Sequence, residues 1–174
     1  MVNEQEFVER AISVDTEYHT DPTGAIDRVY CVCATSSGGG SYKRWIEEGE
    51  EVPTIIEDIA QTLGITDPIY VCHAYDLAER QAFLFLGADP HSKAWLCTYH
   101  CGRVIQNAFA YRDPKKDSLS LLSLCKSLLG VEIDSDHKAH MRDLCITGYT
   151  EGHEEEIMDY CLEDTVHLIP LALE

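Results

Sequence analysis

The sequence predicts a single α/β domain over residues 1–174, with a mixed β-sheet flanked by α-helices. Three strand-like segments come first with no helix between them, and helix-linked strands follow. A hydrophobic content of 45% indicates a folded core. The length is sufficient for one domain with a core and too short for two of ordinary size.

The first third of the chain predicts an antiparallel meander. Buried strands are expected over residues 11–16, 29–34 and 42–46, because these segments are rich in apolar and β-branched side chains. The Asp21-Pro22-Thr23-Gly24 turn signal separates the first two strands, and a Gly/Ser turn over residues 36–40 separates the last two. No Lys-Ser or Lys-Thr pair follows these glycines, so the turn is not a phosphate-binding P-loop.

The remaining two thirds alternates helices with short strands. Residues 53–63 predict an amphipathic helix that ends at Gly64, since its isoleucines recur with helical spacing. Strands are then expected over residues 69–72 and 94–97, helices over 76–86, 98–110, 118–129 and 151–168, a charged loop over 111–117, and a mixed segment over 131–148 with a short helix near Met141.

Charge and composition limit the function classes. The net charge of −18 argues against general electrostatic adhesion to nucleic acid, although bound cations would offset part of it. Seven of the thirteen basic residues lie within residues 103–142, which makes this stretch the expected contact for a phosphate backbone. The acidic N-terminus does not resemble a secretory signal, and no apolar run approaches the roughly 20 residues that cross a bilayer. These features predict a cytoplasmic protein without membrane partners.

Four carboxylates and one tyrosine predict a metal site. Asp15 and Glu17 are two residues apart, so on a strand they point to the same face. Tyr160 and Asp164 are four apart and share a helix face, and Asp76 lies just beyond a strand end. Each pattern alone occurs often by chance, as a strand pattern or a solvated helix face. Together they predict a carboxylate cluster for divalent cations, of the kind that hydrolyses phosphodiesters.

A zinc site is disfavoured. Cys97, His100 and Cys101 lie close together, with Cys31 and Cys33 elsewhere, but there is no paired C-x-x-C set. Most of the eight cysteines are therefore expected to be reduced, packed thiols.

The four carboxylates and the tyrosine resemble the three motifs of the DEDD 3′–5′ exonucleases, which have a DnaQ-like, ribonuclease H-like fold. The residues are Asp15, Glu17, Asp76, Tyr160 and Asp164. In the histidine subclass a His stands five residues before the last Asp, and that position is Asp159 here. Tyr160 stands four residues before Asp164, so the chain resembles the tyrosine subclass. That subclass includes proofreading domains of DNA polymerases and ribonuclease D-like enzymes.

Further segments resemble family A polymerases, including those of phages. The stretch from His73 to Asp76 is similar to a G-H-x-Y-D motif, with Cys72 in place of Gly, and residues 118–130 resemble an S-L-x-x-L-x-x-x-L-G helix. The charged segment 136–143 also fits, while the usual D-T pair is replaced by Cys97-Thr98. Because no polymerase domain follows, the expectation is an excised domain or a free-standing exonuclease subunit.

The resemblance implies hydrolysis with two Mg²⁺ or Mn²⁺ ions. Asp15 would bridge both ions, Glu17 and Asp164 would complete the site next to the attacking water, Asp76 would support the second ion, and Tyr160 would orient the water. The main interpretation is a proofreading exonuclease that removes mononucleotides from the 3′ end of single-stranded DNA, with a separate DNA polymerase subunit or domain as partner. The alternatives are a ribonuclease D-like exoribonuclease and a non-catalytic module that binds a polymerase or replication partner.

Overall fold

The computed structural model describes residues 3–108, 119–148 and 150–174. The sheet consists of β1 (Ala11–Thr20), β2 (Ile26–Ser36), β3 (Ser41–Trp45), β4 (Ile69–Cys72) and β5 (Ala94–Cys97). The helices of the described part are α1 (Glu4–Arg10), α2 (Ile55–Leu63), α3 (Glu79–Phe85), α4 (Thr98–Ala108), α5 (Leu121–Leu124), α6 (Ser135–Thr147), α7 (Glu154–Val166) and α8 (Leu168–Leu173).

The five strands form one mixed sheet, which confirms the predicted fold class. The strand order is β3-β2-β1-β4-β5. The first three strands pair antiparallel, as the meander predicts, while β4 and β5 add in parallel on the other side of β1. Strand β1 is therefore central, and side chains near its C-terminal half lie at the edge where β4 also ends.

Apolar side chains cover both faces of the sheet. One core cluster packs side chains of α2 and α3 against the inner strands, with Phe83 and Ile59 fully buried. On the opposite face, α7 packs on β2 and α6 on β1, and their buried residues Ile157 and Met141 belong to one core cluster. A third cluster lies under α5 and α8. These layers hold α7 and α6 over the carboxylates of β1.

The predicted helix 76–86 begins three residues later, at Glu79. The N–H groups of Leu77 and Ala78 both bond to the carbonyl of Ala74, so residues 74–78 form a turn before the helix. Gly87 has a positive φ of 80° and follows the helix, as the sequence predicts. The late start matters for the site, because it changes which acidic residue points inward.

Other boundaries also differ from the sequence predictions. β1 and β2 extend to Thr20 and Ser36, the acidic N-terminus includes α1, and the predicted helix 151–168 is divided between α7 and α8. Of the predicted helix 118–129, the described part is α5, capped by Ser120, followed by a π-helical turn over Cys125–Leu129. The predicted charged loop 111–117 lies outside the described residues.

The mixed segment 131–148 contains a full helix, α6. The side chain of Asp134 accepts hydrogen bonds from the N–H groups of Asp136 and His137 and thereby caps its N-terminus. This cap begins a helix that places Lys138 and Arg142, one turn apart, toward β1. In the described part of the chain, every helix is too short or too polar to cross a bilayer.

Candidate active site

Strand β1 brings Asp15 and Glu17 to one face of the sheet, as the alternation of strand residues predicts. Both side chains are half-buried, and their carboxylate oxygens lie within 4.8 Å of each other and of Cys161 Sγ. The thiol of Cys145 on α6 donates a weak hydrogen bond to Glu17 Oε2 at 3.7 Å. Two carboxylates held this close repel each other unless protons or cations lie between them.

Helix α7 supplies the tyrosine and the last acidic residue. Its buried stripe includes Tyr160 and Asp164, and the phenol oxygen of Tyr160 donates to Asp164 Oδ2 at 3.0 Å. Burial, together with the nearby carboxylates, raises the pKa of Tyr160 above its ordinary value. The phenol therefore keeps its proton at neutral pH and acts as a hydrogen-bond donor.

Lys138 of α6 places a positive charge inside the acidic cluster. Its ammonium group donates to Asp164 Oδ2 and lies 5.3 Å from the centre of the Tyr160 ring. The sequence predicts Lys138 only as one of the basic residues of the stretch 103–142 that would contact a phosphate backbone. Nothing in the linear pattern places it beside Asp164, because that contact depends on how α6 crosses α7.

The structure does not bring Asp76 into this group. Asp76 is exposed, its carboxylate lies 3.6 Å from Arg80 Nε and 3.7 Å from His100 Nε2, and it does not line the cavity around Asp15. The turn over residues 74–78 is the cause, because it places Ala74 and Ala78 against the cavity and Asp76 on the exposed side. The prediction that Asp76 clusters with the other three carboxylates thus differs from the geometry.

Glu79 stands where Asp76 was expected. It is the first residue of α3, only 1% exposed, and it lines the same cavity as Asp15. Its Oε2 atom has no hydrogen-bond partner among the described residues, which is costly for a buried carboxylate unless it binds a cation or a proton. Sequence reasoning missed Glu79, although an acidic residue is favoured in the first turn of a helix.

The four inward carboxylates share one cavity of about 700 Å³. This volume lies within the range of about 300–1,000 Å³ that is common for small-molecule sites. The carboxylates and Tyr160 occupy one side, and Lys138 and Arg142 of α6 line another. Leu121, Leu122 and Ile146 add apolar surface. Such a mixture of acidic, basic and apolar walls suits a phosphate-bearing ligand with an aromatic base.

The surroundings of these carboxylates oppose their ionisation and raise their pKa values. Burial is the largest cause, followed by neighbouring carboxylates: the pKa of Glu17 rises to about 8, with Asp164 as its main charged neighbour. The pKa of Asp15 is raised well above its ordinary value by burial and then by Glu17, Asp164 and Glu79. Burial also raises the pKa of Glu79 to about 7. A divalent cation would remove this penalty.

The donor set fits Mg²⁺ or Mn²⁺. Carboxylate oxygens are the ligands that these hard cations prefer, and Glu79 Oε2, which has no partner among the residues that the structure describes, offers one. The residues that would hold such ions are Asp15, Glu17, Glu79 and Asp164.

Solved structures share this fold, although no protein-family model and no curated protein matches the chain. Two structures of NrnC from Brucella melitensis, one with bound Mg²⁺, superpose with TM-scores of 0.61 and 0.60. Each is 20% identical in sequence, and the match covers 99% of this chain and 75% of NrnC. The similarity confirms the predicted α/β fold, a mixed β-sheet flanked by α-helices. It does not support the polymerase proofreading subtype.

The cysteines that lie close together in the structure differ from the Cys97, His100 and Cys101 group that is close in sequence. Cys97, His100 and Cys101 do not form a group of converging ligands within the described residues. Cys31 and Cys33 instead lie close to Cys161 of α7. Sequence spacing does not predict this contact, because it depends on how α7 packs on the sheet.

Proposed function

We propose that this protein is a metal-dependent 3′–5′ exonuclease that removes mononucleotides from short single-stranded RNA. The observation that carries the proposal is the convergence of four carboxylates and a protonated tyrosine in one open cavity. Metal-dependent phosphodiester hydrolysis needs such a group of hard ligands, and it needs no protein nucleophile. The fold of the exonuclease-like neighbours is consistent with this chemistry.

The chain's own residues would each hold part of the reaction. Bound Mg²⁺ would supply an activated water and stabilise the leaving 3′ oxygen. Asp15 on the central strand has Glu17, Glu79 and Asp164 as its acidic neighbours, so it would be a central ligand of the bound metal. Glu17 and Asp164 would complete one ion site, and Glu79 would take the role that the sequence assigned to Asp76.

Tyr160 and Lys138 would position the reacting groups. The Tyr160 phenol points at Asp164 and stays protonated, so it would hold the attacking water by hydrogen bonding rather than deprotonate it. The Lys138 ammonium would leave Asp164 when cations bind and contact the scissile phosphate instead. Arg142, one turn further along α6, would contact the next phosphate.

Two considerations favour short RNA. The similarity to NrnC supports an RNA-directed exonuclease better than a proofreading domain. The net charge of −18 also penalises contact with a long phosphate backbone, so a substrate of few nucleotides suits the surface better.

Single-stranded DNA ends are the second candidate substrate. The family A-like segments at residues 73–76 and 118–130 support it, and a DNA polymerase would then be the partner. A non-catalytic module is the weakest candidate, because one cavity is lined by a full set of candidate catalytic side chains: Asp15, Glu17, Glu79, Asp164 and Tyr160.

A strand-end assay tests the proposal. We expect Mg²⁺ and the protein to shorten a 5′-labelled RNA of about five nucleotides from its 3′ end, one nucleotide at a time and faster than the matched DNA. Faster DNA degradation would select the proofreading alternative. Shortening from the 5′ end, or no cleavage of either strand with Mg²⁺ or Mn²⁺, would contradict the exonuclease proposal.

A further inference from the structure

Three cysteine thiols converge behind the carboxylates of β1. Cys31 and Cys33 on β2 and Cys161 on α7 are all fully buried, and their Sγ atoms lie within 4.8 Å of one another. Cys31 and Cys33 lie on the same face of β2, since residues two apart on a strand share a face. The third comes from α7, which packs on β2.

The pairing of β1 with β2 places this thiol group beside the acidic cluster. Asp15 pairs with Cys33 and Glu17 pairs with Cys31, so the carboxylates and thiols are cross-strand neighbours. Cys161 belongs to both groups, because its Sγ also lies within 4.8 Å of the Asp15 and Glu17 oxygens. The thiol group is therefore adjacent to the carboxylates that line the open cavity.

We propose that Cys31, Cys33 and Cys161 form a second metal site, which binds one thiophilic cation of the Zn²⁺ class and takes a carboxylate of the Asp15–Glu17 pair as fourth ligand. Thiolates select such cations over Mg²⁺, and three sulfurs with one oxygen complete a tetrahedron. Sulfurs at about 2.3 Å from a central ion lie roughly 4 Å apart, so the observed separation needs to contract by less than about 1 Å.

All three thiols would have to lose their protons to bind the metal. The Cys33 thiol donates a hydrogen bond to the Met158 carbonyl at 3.3 Å, a contact that it would give up on binding a metal. Burial raises the pKa of Cys31 and Cys161, so the cation would displace their protons as it binds.

The shared carboxylate couples the two sites. A thiophilic ion would withdraw one ligand from the Mg²⁺ set and lower nuclease activity, a consequence that rests on the proposed function. The existence of the thiol site does not rest on it.

Cadmium binding tests the site directly. We expect the reduced protein to bind one Cd²⁺ with a thiolate-to-cadmium absorption band, and the ¹¹³Cd resonance of the wild-type protein to report three sulfur ligands. Cys161→Ala should weaken binding at least tenfold. Cys125→Ala, which removes an equally buried thiol from a different core cluster, should leave binding unchanged. Absence of the band, or a resonance with one sulfur or none, would overturn the site, whether or not the variants fold.

Activity then tests the coupling. At fixed Mg²⁺, Cd²⁺ should inhibit RNA cleavage by the wild-type protein, and Cys161→Ala should resist inhibition. Three-sulfur binding with undiminished cleavage would overturn the shared carboxylate. Three-sulfur binding by a protein that cleaves neither RNA nor DNA would support the thiol site and contradict the proposed function instead.

Discussion

The ammonium group of Lys138 binds the same Asp164 oxygen that accepts the hydrogen bond of Tyr160. A lysine from α6 thus occupies the position where a divalent cation would meet α7. The contact offsets part of the repulsion among the carboxylates, since the Lys138 charge partly opposes the rise in the pKa of Asp15 and Glu17 that burial and like charges cause. Cation binding must displace it, which makes Lys138 both a competitor for the metal and a proposed phosphate contact.

Replacing Lys138 with Met should separate these two roles. We expect Lys138→Met to bind Mn²⁺ several-fold more tightly, up to roughly tenfold, because no ammonium has to leave Asp164. Its cleavage rate at saturating metal should fall, because the phosphate loses a cationic contact. Calorimetric titration with Mn²⁺ and single-turnover cleavage measure the two effects. Lys126→Met, at an exposed lysine paired with Glu132, is the control and should change neither. Weaker metal binding by Lys138→Met would contradict the competition.

Asp15→Asn should abolish cleavage without destabilising the metal-free protein. The carboxylate is partly buried among like charges, so neutralising it relieves repulsion and should leave the thermal midpoint equal to or above that of the wild type. Thermal unfolding in EDTA and the RNA assay measure both quantities. Asp159→Asn, an exposed residue paired with Lys43, should retain activity. A large loss of stability on Asp15→Asn would show that Asp15 is structural.

Tyr160→Phe should slow the reaction while leaving metal affinity nearly unchanged. Only the hydroxyl is lost, and positioning of this kind contributes about 10²-fold in rate. Tyr30→Phe is the matched control, because it removes a buried hydroxyl that donates to the Cys145 carbonyl in the same core cluster. That variant should lose stability but retain its rate. An unchanged rate in Tyr160→Phe would mean that Tyr160 serves only in packing.

The metal-free protein should lose stability as pH rises through the neutral range. The pKa values of Glu17 and Glu79 are raised in the folded state to about 8 and about 7, from ordinary values of 4.5. The folded protein therefore binds more protons than the unfolded chain between about pH 4.5 and 8, and unfolding becomes easier as those protons leave. Urea titrations across this range measure the slope, and Mg²⁺ should restore stability at the upper end. A slope of opposite sign would contradict the raised pKa values.

Strand periodicity sufficed to predict the mixed sheet and the position of Asp15 and Glu17 on the same face of β1. Helix periodicity sufficed to predict that Tyr160 and Asp164 share one face of α7. These patterns depend on local geometry alone. The third acidic residue was not predictable in this way. Asp76 and Glu79 are three residues apart, and the choice between them depends on the turn that delays α3. Lys138 and the Cys161 thiol required the crossing of α6 and α7 over the sheet, which no spacing rule encodes.

The central claim is that Asp15, Glu17, Glu79 and Asp164 together form the centre that cleaves nucleotides from a 3′ end. Comparing Glu79→Gln with Asp76→Asn on 5′-labelled RNA in Mg²⁺ tests it most directly, since the two variants each remove one carboxylate charge within three residues of chain. The account predicts shortening from the 3′ end by the wild-type protein and by Asp76→Asn, and a loss of about 10²-fold or more in Glu79→Gln. Full activity in Glu79→Gln with loss in Asp76→Asn would contradict it.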